Sequence, residues 1–175
     1  MDGVIRGKAI RYLKVGLIFF VLFVAVISVG SLVQDKAMRP GEVRGLDFVL
    51  MDLDGKRFKL SDFKGKPVLL IFSTTWCTYC RSEIPRFKNI YTRYSPLGLV
   101  VVNVDIKEPK ARVVRFARQY DLPYRVLLDE GGGVSMAYNI LGVPSMILLS
   151  PEGRVLCRYC RSTEEVLDNW FQKKR

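Results

Sequence analysis

Apolar residues along this chain alternate between strand-like and helix-like patterns. Continuous apolar runs at 67–73 and 97–106 predict strands that are buried on both faces, as in a parallel sheet. Apolar residues at helical spacing predict amphipathic helices over 84–94 and 113–120. Two shorter apolar runs flank Asp54-Gly55, a dipeptide that favours a tight β-hairpin. This part of the chain is therefore expected to form a hairpin followed by alternating strands and helices.

The same alternation continues towards the C-terminus. The stretch YRVLLDE predicts a strand and VSMAYNI a short helix. SMILLS and RVLCRY predict two further strands, joined by a tight turn at 151–153. A final helix begins at Ser162, which forms a capping box with Glu165. The whole pattern predicts an α/β fold in which a central sheet is flanked by helices.

The N-terminal segment has a different character. Residues 15–33 contain no charged side chain, and at 1.5 Å per residue a helix of this length just spans a hydrocarbon core of about 30 Å. Most nearby basic residues precede this run, which predicts an N-terminus in the cytoplasm and the remaining chain outside. We therefore divide the chain into a cytoplasmic basic tail (1–14), a transmembrane signal anchor (15–33), a linker (34–45) and one domain (46–175).

A cleaved signal peptide is the alternative interpretation of the N-terminal segment. Signal peptides have apolar runs of about 7–15 residues, followed by a cleavage site with small residues. The run here is longer, and the stretch SVGSLVQDKAM offers only a poor site. We therefore expect an uncleaved, single-pass anchor in the cytoplasmic (inner) membrane, with the domain on the periplasmic or extracytoplasmic side.

Composition narrows the chemistry. The chain has 28 basic and 17 acidic residues, a net charge of +11 and no histidine. The basic residues are scattered, so we expect no nucleic-acid partner and only attraction to anionic lipid or acidic proteins. The lack of histidine excludes Cys-His proteases, histidine-ligated metals and imidazole-ligated haem. We expect no cofactor and no metal, and a chemistry that depends on cysteines and carboxylates.

The four cysteines form two pairs. Cys77 and Cys80, in TTWCTYC, follow a predicted buried strand and open a predicted helix. Helix N–H groups and the helix dipole stabilise a thiolate at that position, so Cys77 is the predicted attacking thiol and Cys80 the resolving thiol. A zinc site or a structural disulfide is the alternative. Paired zinc cysteines are usually about 15–20 residues apart, however, whereas 76 residues separate these pairs.

WCxxC directly after a buried strand, with a later Gly-x-Pro before another strand, resembles the TlpA/ResA-like family, which includes the CcmG/DsbE type. These proteins are membrane-anchored thiol–disulfide oxidoreductases. The resemblance covers most of 45–172 and implies a thioredoxin-like fold, with a central mixed sheet and an N-terminal hairpin extension. It also implies protein disulfide clients and a membrane thiol–disulfide electron donor.

The resemblance implies roles for individual residues as well. Trp76 matches the tryptophan before the cysteine pair, and Pro144 matches a cis-proline that faces the disulfide. Glu83 matches a carboxylate that tunes thiol ionisation and proton transfer, and joins Cys77 and Cys80 as a catalytic candidate. The chain departs from related patterns at Ile71, where many thioredoxins carry a buried aspartate. The expected substrate-binding residues are Trp76, Thr78, Tyr79, Val143 and Pro144.

Cys157 and Cys160 lie outside the family pattern. Counting back from the turn before their strand places Cys160 at the level of Pro144, close to the substrate groove. We hypothesise a second redox pair that exchanges with the first; the alternative is two inert thiols or a local disulfide without a catalytic role. Residues three apart on a straight strand are too distant for a disulfide, so pairing requires a bulge or turn at Tyr159.

Three functions fit these observations. The first is a membrane-tethered reductase of client disulfides, among which the resemblance suggests apocytochrome c during cytochrome c biogenesis. The second is an oxidase or isomerase that donates disulfides, which a redox potential would distinguish from the first. The third is a non-catalytic metal-binding or chaperone module that uses all four cysteines, which metal analysis would reveal.

Overall fold

The computed structural model describes residues 44–159 and 163–172. The predicted basic tail, the predicted signal anchor and most of the linker lie outside these ranges, as do Cys160 and Ser162. The chain separates into two units between Met38 and Arg39, and all described residues belong to the second. Within the described ranges, no helix is both long and apolar enough to span a membrane.

One mixed sheet contains seven strands, in the order β2-β1-β5-β4-β3-β6-β7. The central strands β3, β4 and β5 are parallel, whereas β1 and β2 on one side and β6 and β7 on the other add antiparallel pairs. The predicted mixed sheet of a thioredoxin-like fold is confirmed. The strands are β1 Val49–Asp52, β2 Arg57–Lys59, β3 Val68–Ser73, β4 Val100–Ile106, β5 Arg125–Asp129, β6 Ser145–Leu149 and β7 Val155–Arg158.

Four α-helices are described, each close to a stretch of predicted helical periodicity. The helices are α1 Thr78–Tyr94, α2 Lys110–Gln119, α3 Gly133–Ala137 and α4 Thr163–Gln172. Short 3-10 turns lie at Leu60–Phe63 and Ser95–Leu97. The alternation of strands and helices is therefore as predicted. The capping box predicted at the start of α4 involves Ser162 and lies outside the described residues.

Helices cover both faces of the sheet, which explains why every residue of β3 is buried. Leu70 and Phe72 face one layer, where they pack with α3 and the aromatic residues of the hairpin. Leu69 and Ile71 face the opposite layer, where they pack with α1 and α4. The continuous apolar run in the sequence reflects this burial on two sides.

The hairpin turns at Asp54-Gly55, as predicted, and Gly55 adopts a positive φ of 77° that favours glycine. The carboxylate of Asp52 accepts hydrogen bonds from the N–H groups of Asp54 and Lys56 and from Arg125 on β5. Although burial raises the pKa of Asp52, these hydrogen bonds and the Arg125 charge hold it below its usual value. Asp52 therefore joins the hairpin to the main sheet through β5.

Replacing Leu70 with alanine is expected to lower the free energy of unfolding by about 2–5 kcal/mol, because the fully buried side chain would leave a cavity in the central strand. Leu46→Ala is the matched control, since Leu46 is 53% exposed, and we expect a change within about 0.5 kcal/mol. Urea unfolding of both variants checks this. Equal losses of stability would contradict the assigned core.

Candidate active site

Cys77 and Cys80 form a disulfide at the N-terminus of α1, with their Cα atoms 5.2 Å apart. Cys77 is the N-cap residue of the helix, and its Sγ accepts a hydrogen bond of 3.0 Å from the N–H of Cys80. Cys77 is 7% exposed and Cys80 3% exposed. The predicted position of Cys77 at a helix start is thus confirmed, and Cys77 is the more exposed residue of the two.

The loop before β6 faces this disulfide. The peptide bond between Val143 and Pro144 is cis, as the resemblance implies. The Val143 carbonyl oxygen lies 3.7 Å from Sγ of Cys77. This contact arises because β6 is antiparallel to β3, with Ser145 paired to Phe72, so the start of β6 lies where β3 ends. Two segments that are distant in sequence therefore meet at the attacking sulfur.

Exposed apolar side chains lie next to the buried cysteines in the chain. Trp76 and Tyr79 are both 65% exposed, and Thr78 between the cysteines is exposed as well. Leu141, two residues before Val143 in the cis-proline loop, is 83% exposed. Leu141 was not predicted from the sequence, where an isolated leucine in a loop carries no signal of its own. These side chains supply apolar surface at both segments that contain the site.

The loop that leads into Cys77 is held by two charged residues that were not predicted. The N–H and hydroxyl groups of Thr75 donate to the buried carboxylate of Glu108, at 2.5 and 2.6 Å. Arg81 donates to the carbonyl oxygen of Thr75 and to the hydroxyl of Thr78, each at 3.0 Å. Buried hydrogen bonds to charged groups are strong, so the backbone before Cys77 is firmly positioned.

Asp105 lies at the end of β4, where it is 2% exposed and pairs with Ser73 of β3. Burial, repulsion from Glu108 and a hydrogen bond with Glu108 raise the pKa of Asp105 to about 8. The raised pKa favours the protonated form of Asp105 at neutral pH, beside the Glu108 carboxyl group. The available sequence signal was a carboxylate inside the apolar run VVVNVDI, which is costly unless the carboxyl group is neutral or paired.

Glu83 lies one turn beyond Cys80 and forms an ion pair with Arg86, at 3.1 Å. Arg86 also donates to both carboxylate oxygens of Glu164 on α4, each at 2.7 Å. These hydrogen bonds raise the pKa of Arg86 above its usual value and lower that of Glu164. Glu83 thus belongs to an ionic network that links α1 to α4, and its predicted role in proton transfer stays a prediction.

Cys157 lies on β7, opposite Leu148 of β6, and is disulfide-bonded. Tyr159 adopts a positive φ of 53°, and its N–H donates to the carbonyl oxygen of Met146 at 2.8 Å. The chain therefore turns at Tyr159, as disulfide pairing in this segment requires. Cys160 lies outside the described residues, and thiol exchange between this pair and Cys77–Cys80 stays a prediction.

The arrangement is suited to thiol–disulfide exchange. A thiolate from another molecule can attack a sulfur at the helix N-terminus, where N–H groups stabilise negative charge. Over 44–159 and 163–172, no group of three or more cysteine or carboxylate side chains is placed to hold a metal ion. A redox-capable CxxC pair facing a cis-proline on this sheet defines a class of protein, the thioredoxin-like thiol–disulfide oxidoreductases.

Comparison with known proteins agrees with that class. The model of the AhpC/TSA family matches residues 43–158, and the chain belongs to this family. It is 33% identical over 145 residues to the thiol-disulfide oxidoreductase ResA of Bacillus thuringiensis subsp. konkukian. The aligned region covers 82% of this chain and 83% of the relative. It is 40% identical over 110 residues to ResA of Bacillus subtilis, which covers 63% and 62% respectively.

Solved structures show the same fold. The thioredoxin domain of a thiol-disulfide oxidoreductase from Bacteroides vulgatus matches with a TM-score of 0.67 and 26% identity, over 79% of this chain and 99% of that one. A protein from Chlorobium tepidum, assigned as the thiol:disulfide interchange protein DsbE, matches with a TM-score of 0.66 and 27% identity, over 74% and 94%. The chain is therefore a redox enzyme of this class.

The raised pKa of Asp105 makes stability depend on pH. The pKa of Asp105 rises from 3.8 to about 8 on folding, so its stabilising contribution is complete below pH 3.8 and is lost as the pH rises through 8. We expect Asp105→Asn to match wild type near pH 4 and to become more stable than wild type at higher pH. The difference should grow by up to about 1.4 kcal/mol per pH unit.

Urea unfolding of the disulfide form between pH 4 and pH 9 measures this difference. Carboxylates that do not interact with Asp105 contribute equally to both proteins and cancel in the comparison. A difference in stability that does not change with pH would contradict a buried, protonated Asp105.

The second cysteine pair is tested by Cys157→Ala combined with Cys160→Ala. If thiol exchange links the two pairs, this variant should turn over a disulfide substrate more slowly than wild type while remaining folded. Single-turnover and steady-state rates, together with a circular dichroism spectrum, measure both properties. Unchanged kinetics in a fully folded variant would refute the exchange.

Proposed function

We propose that the protein is a membrane-tethered, extracytoplasmic oxidoreductase that reduces disulfides in client proteins through Cys77 and Cys80. The observation that carries the proposal is the Cys77–Cys80 disulfide at the start of α1, next to the cis-proline loop. The reducing direction and a membrane thiol–disulfide electron donor are taken from the family resemblance. The apolar run at 15–33 supports a tether in the cytoplasmic (inner) membrane.

In the reducing direction, the Cys77 thiolate attacks a client disulfide and forms a mixed disulfide. Cys77 takes this role because its sulfur is the N-cap of α1 and accepts the Cys80 N–H, an interaction that stabilises negative charge. Cys80 then attacks Cys77, which closes the intramolecular disulfide and releases the client thiol. The membrane donor supplies two electrons and restores the dithiol.

Client binding is proposed to use backbone and apolar contacts together. An extended client segment lies along the cis-proline loop beside Val143 and Pro144, where the client cysteine comes within reach of Cys77. Exposed Trp76, Tyr79 and Leu141 supply contact area at the edges of this groove. Apocytochrome c, whose haem-binding CxxCH segment can carry a disulfide, is the client class that the family resemblance favours.

The direct test traps clients with Cys80→Ala. This variant is expected to stall at the mixed disulfide and to yield covalent adducts that reducing agents dissolve, because it lacks the resolving thiol. Mass spectrometry identifies the client, and adducts should remain with the membrane fraction if the chain is anchored. Cys77→Ala with Cys80→Ala is the matched control and should trap nothing.

The redox potential of the Cys77–Cys80 couple then decides the direction of the reaction. A value near about −270 mV supports a reductant, whereas a value near about −120 mV would assign the protein as a disulfide donor. Trapping by the double variant, or no trapping by Cys80→Ala, would overturn the proposed mechanism.

A further inference from the structure

Asp105 lies in the same buried layer as the resolving thiol. Side chains alternate along β3 and β4, and Ile71 faces α1, so Ser73 and its partner Asp105 face α1 as well. Cys80 lies on the buried stripe of α1 that also includes Phe87, which packs on this face of the sheet. β3 ends four residues before Cys77, so Asp105 and Cys80 lie at the same end of that layer.

The two buried carboxyl groups differ in what they already bind. Glu108 accepts both hydrogen bonds from Thr75 and thereby holds the loop that precedes Cys77. Asp105 has one oxygen, Oδ1, that is fully buried and makes no hydrogen bond to any described residue. A buried oxygen without a partner is unusual and indicates strain or a functional role. Asp105 can therefore gain or lose a proton without releasing the loop.

We propose that Asp105, in its pair with Glu108, accepts the thiol proton of Cys80 during the resolving step. This inference rests on the resolving role of Cys80 given under the proposed function. As the Cys80 sulfur attacks Cys77, the bond between Cys77 and the client sulfur breaks and the Cys77–Cys80 bond forms. The client leaves as a thiolate, and the proton of Cys80 passes to the carboxyl pair.

The same step runs backwards when the enzyme is reduced. A donor thiolate attacks Cys77, the electron pair of the broken disulfide stays on the Cys80 sulfur, and Asp105 returns its proton there. The structure contains the disulfide form. In the proposed sequence this is the state in which the carboxyl pair carries the proton from Cys80.

Two other charged groups lie near the pair. The guanidinium of Arg112 on α2 lies 3.6 Å from the carboxylate of Glu108. Arg81 on α1 donates a hydrogen bond to the carbonyl oxygen of Thr75. On the sheet, the strand partners of Asp105 are Ser73 and Leu128, neither of which titrates. At this end of α1 the titratable side chains besides Arg81 are Cys77, Tyr79, Cys80 and Glu83.

Glu83 is the rival proton acceptor. Its carboxylate, however, is already engaged by Arg86 in the ionic network between α1 and α4. Asp105 is instead buried, next to a second carboxylate, in surroundings that strengthen a base. Matched variants of the two acids therefore distinguish the two assignments.

The test follows the reduced full chain as it reacts with the small aromatic disulfide 5,5′-dithiobis(2-nitrobenzoic acid). The first chromophore is released by Cys77 attack and the second by Cys80 resolution, so stopped-flow absorbance separates the two steps. Every protein carries Cys157→Ala and Cys160→Ala, so that only the first pair reacts. The variants are Asp105→Asn, Glu83→Gln and, as an uncharged control beside Asp105, Ser73→Ala.

We expect Asp105→Asn to slow the second phase by about tenfold or more near pH 7, because a positioned base is lost, and to leave the first phase within about twofold. The second-phase rate of the parent should level off as the carboxyl pair ionises. In Asp105→Asn it should instead keep rising with hydroxide concentration. Ser73→Ala should leave both phases and the pH profile unchanged.

Three results would overturn the inference. The second phase could be unaffected by Asp105→Asn, both phases could slow equally as a structural defect would cause, or Glu83→Gln could produce the selective loss instead. Failure of the proposed function would give a different result. The parent protein itself would then show no two-phase release of the chromophore.

Discussion

β3 pairs with β4 and β6 in registers that bring three distant segments to one end of the sheet. Its pairing with β6 places the cis-proline loop beside Cys77, and its pairing with β4 places Asp105 beside Ser73. Because β3 is buried on both faces, these registers cannot slip without exposing apolar side chains. The geometry of the disulfide site therefore depends on the packing of one central strand.

Two opposing electrostatic effects meet at the site. The first turn of α1 presents N–H groups to Cys77 and favours a thiolate there. Beneath the same loop, Glu108 and Asp105 bring two carboxyl groups into a buried environment that disfavours a second negative charge. Hydrogen bonds from Thr75 and Arg81 tie these two regions together. The sulfur chemistry and the buried proton are thus coupled through a single loop.

Likeness to ResA proteins and to solved thioredoxin domains establishes the fold and the class of redox enzyme. This chain departs from the related patterns at three places: Thr78-Tyr79 between the cysteines, Ile71 on β3 and the disulfide-bonded Cys157 on β7. Residues at these places affect how strongly the thiols ionise and where protons and electrons move. Such properties vary among proteins that share one fold.

The sequence by itself determined the order of strands and helices, the hairpin at Asp54-Gly55 and the position of Cys77 at a helix start. Each of these follows from local periodicity, turn chemistry or capping, which neighbouring residues decide. Only the tertiary structure decided that Glu108 binds Thr75 in the loop before Cys77, and that Val143 faces Cys77. Those contacts join residues 30 or more positions apart, and burial and strand register, which no local pattern encodes, bring them together.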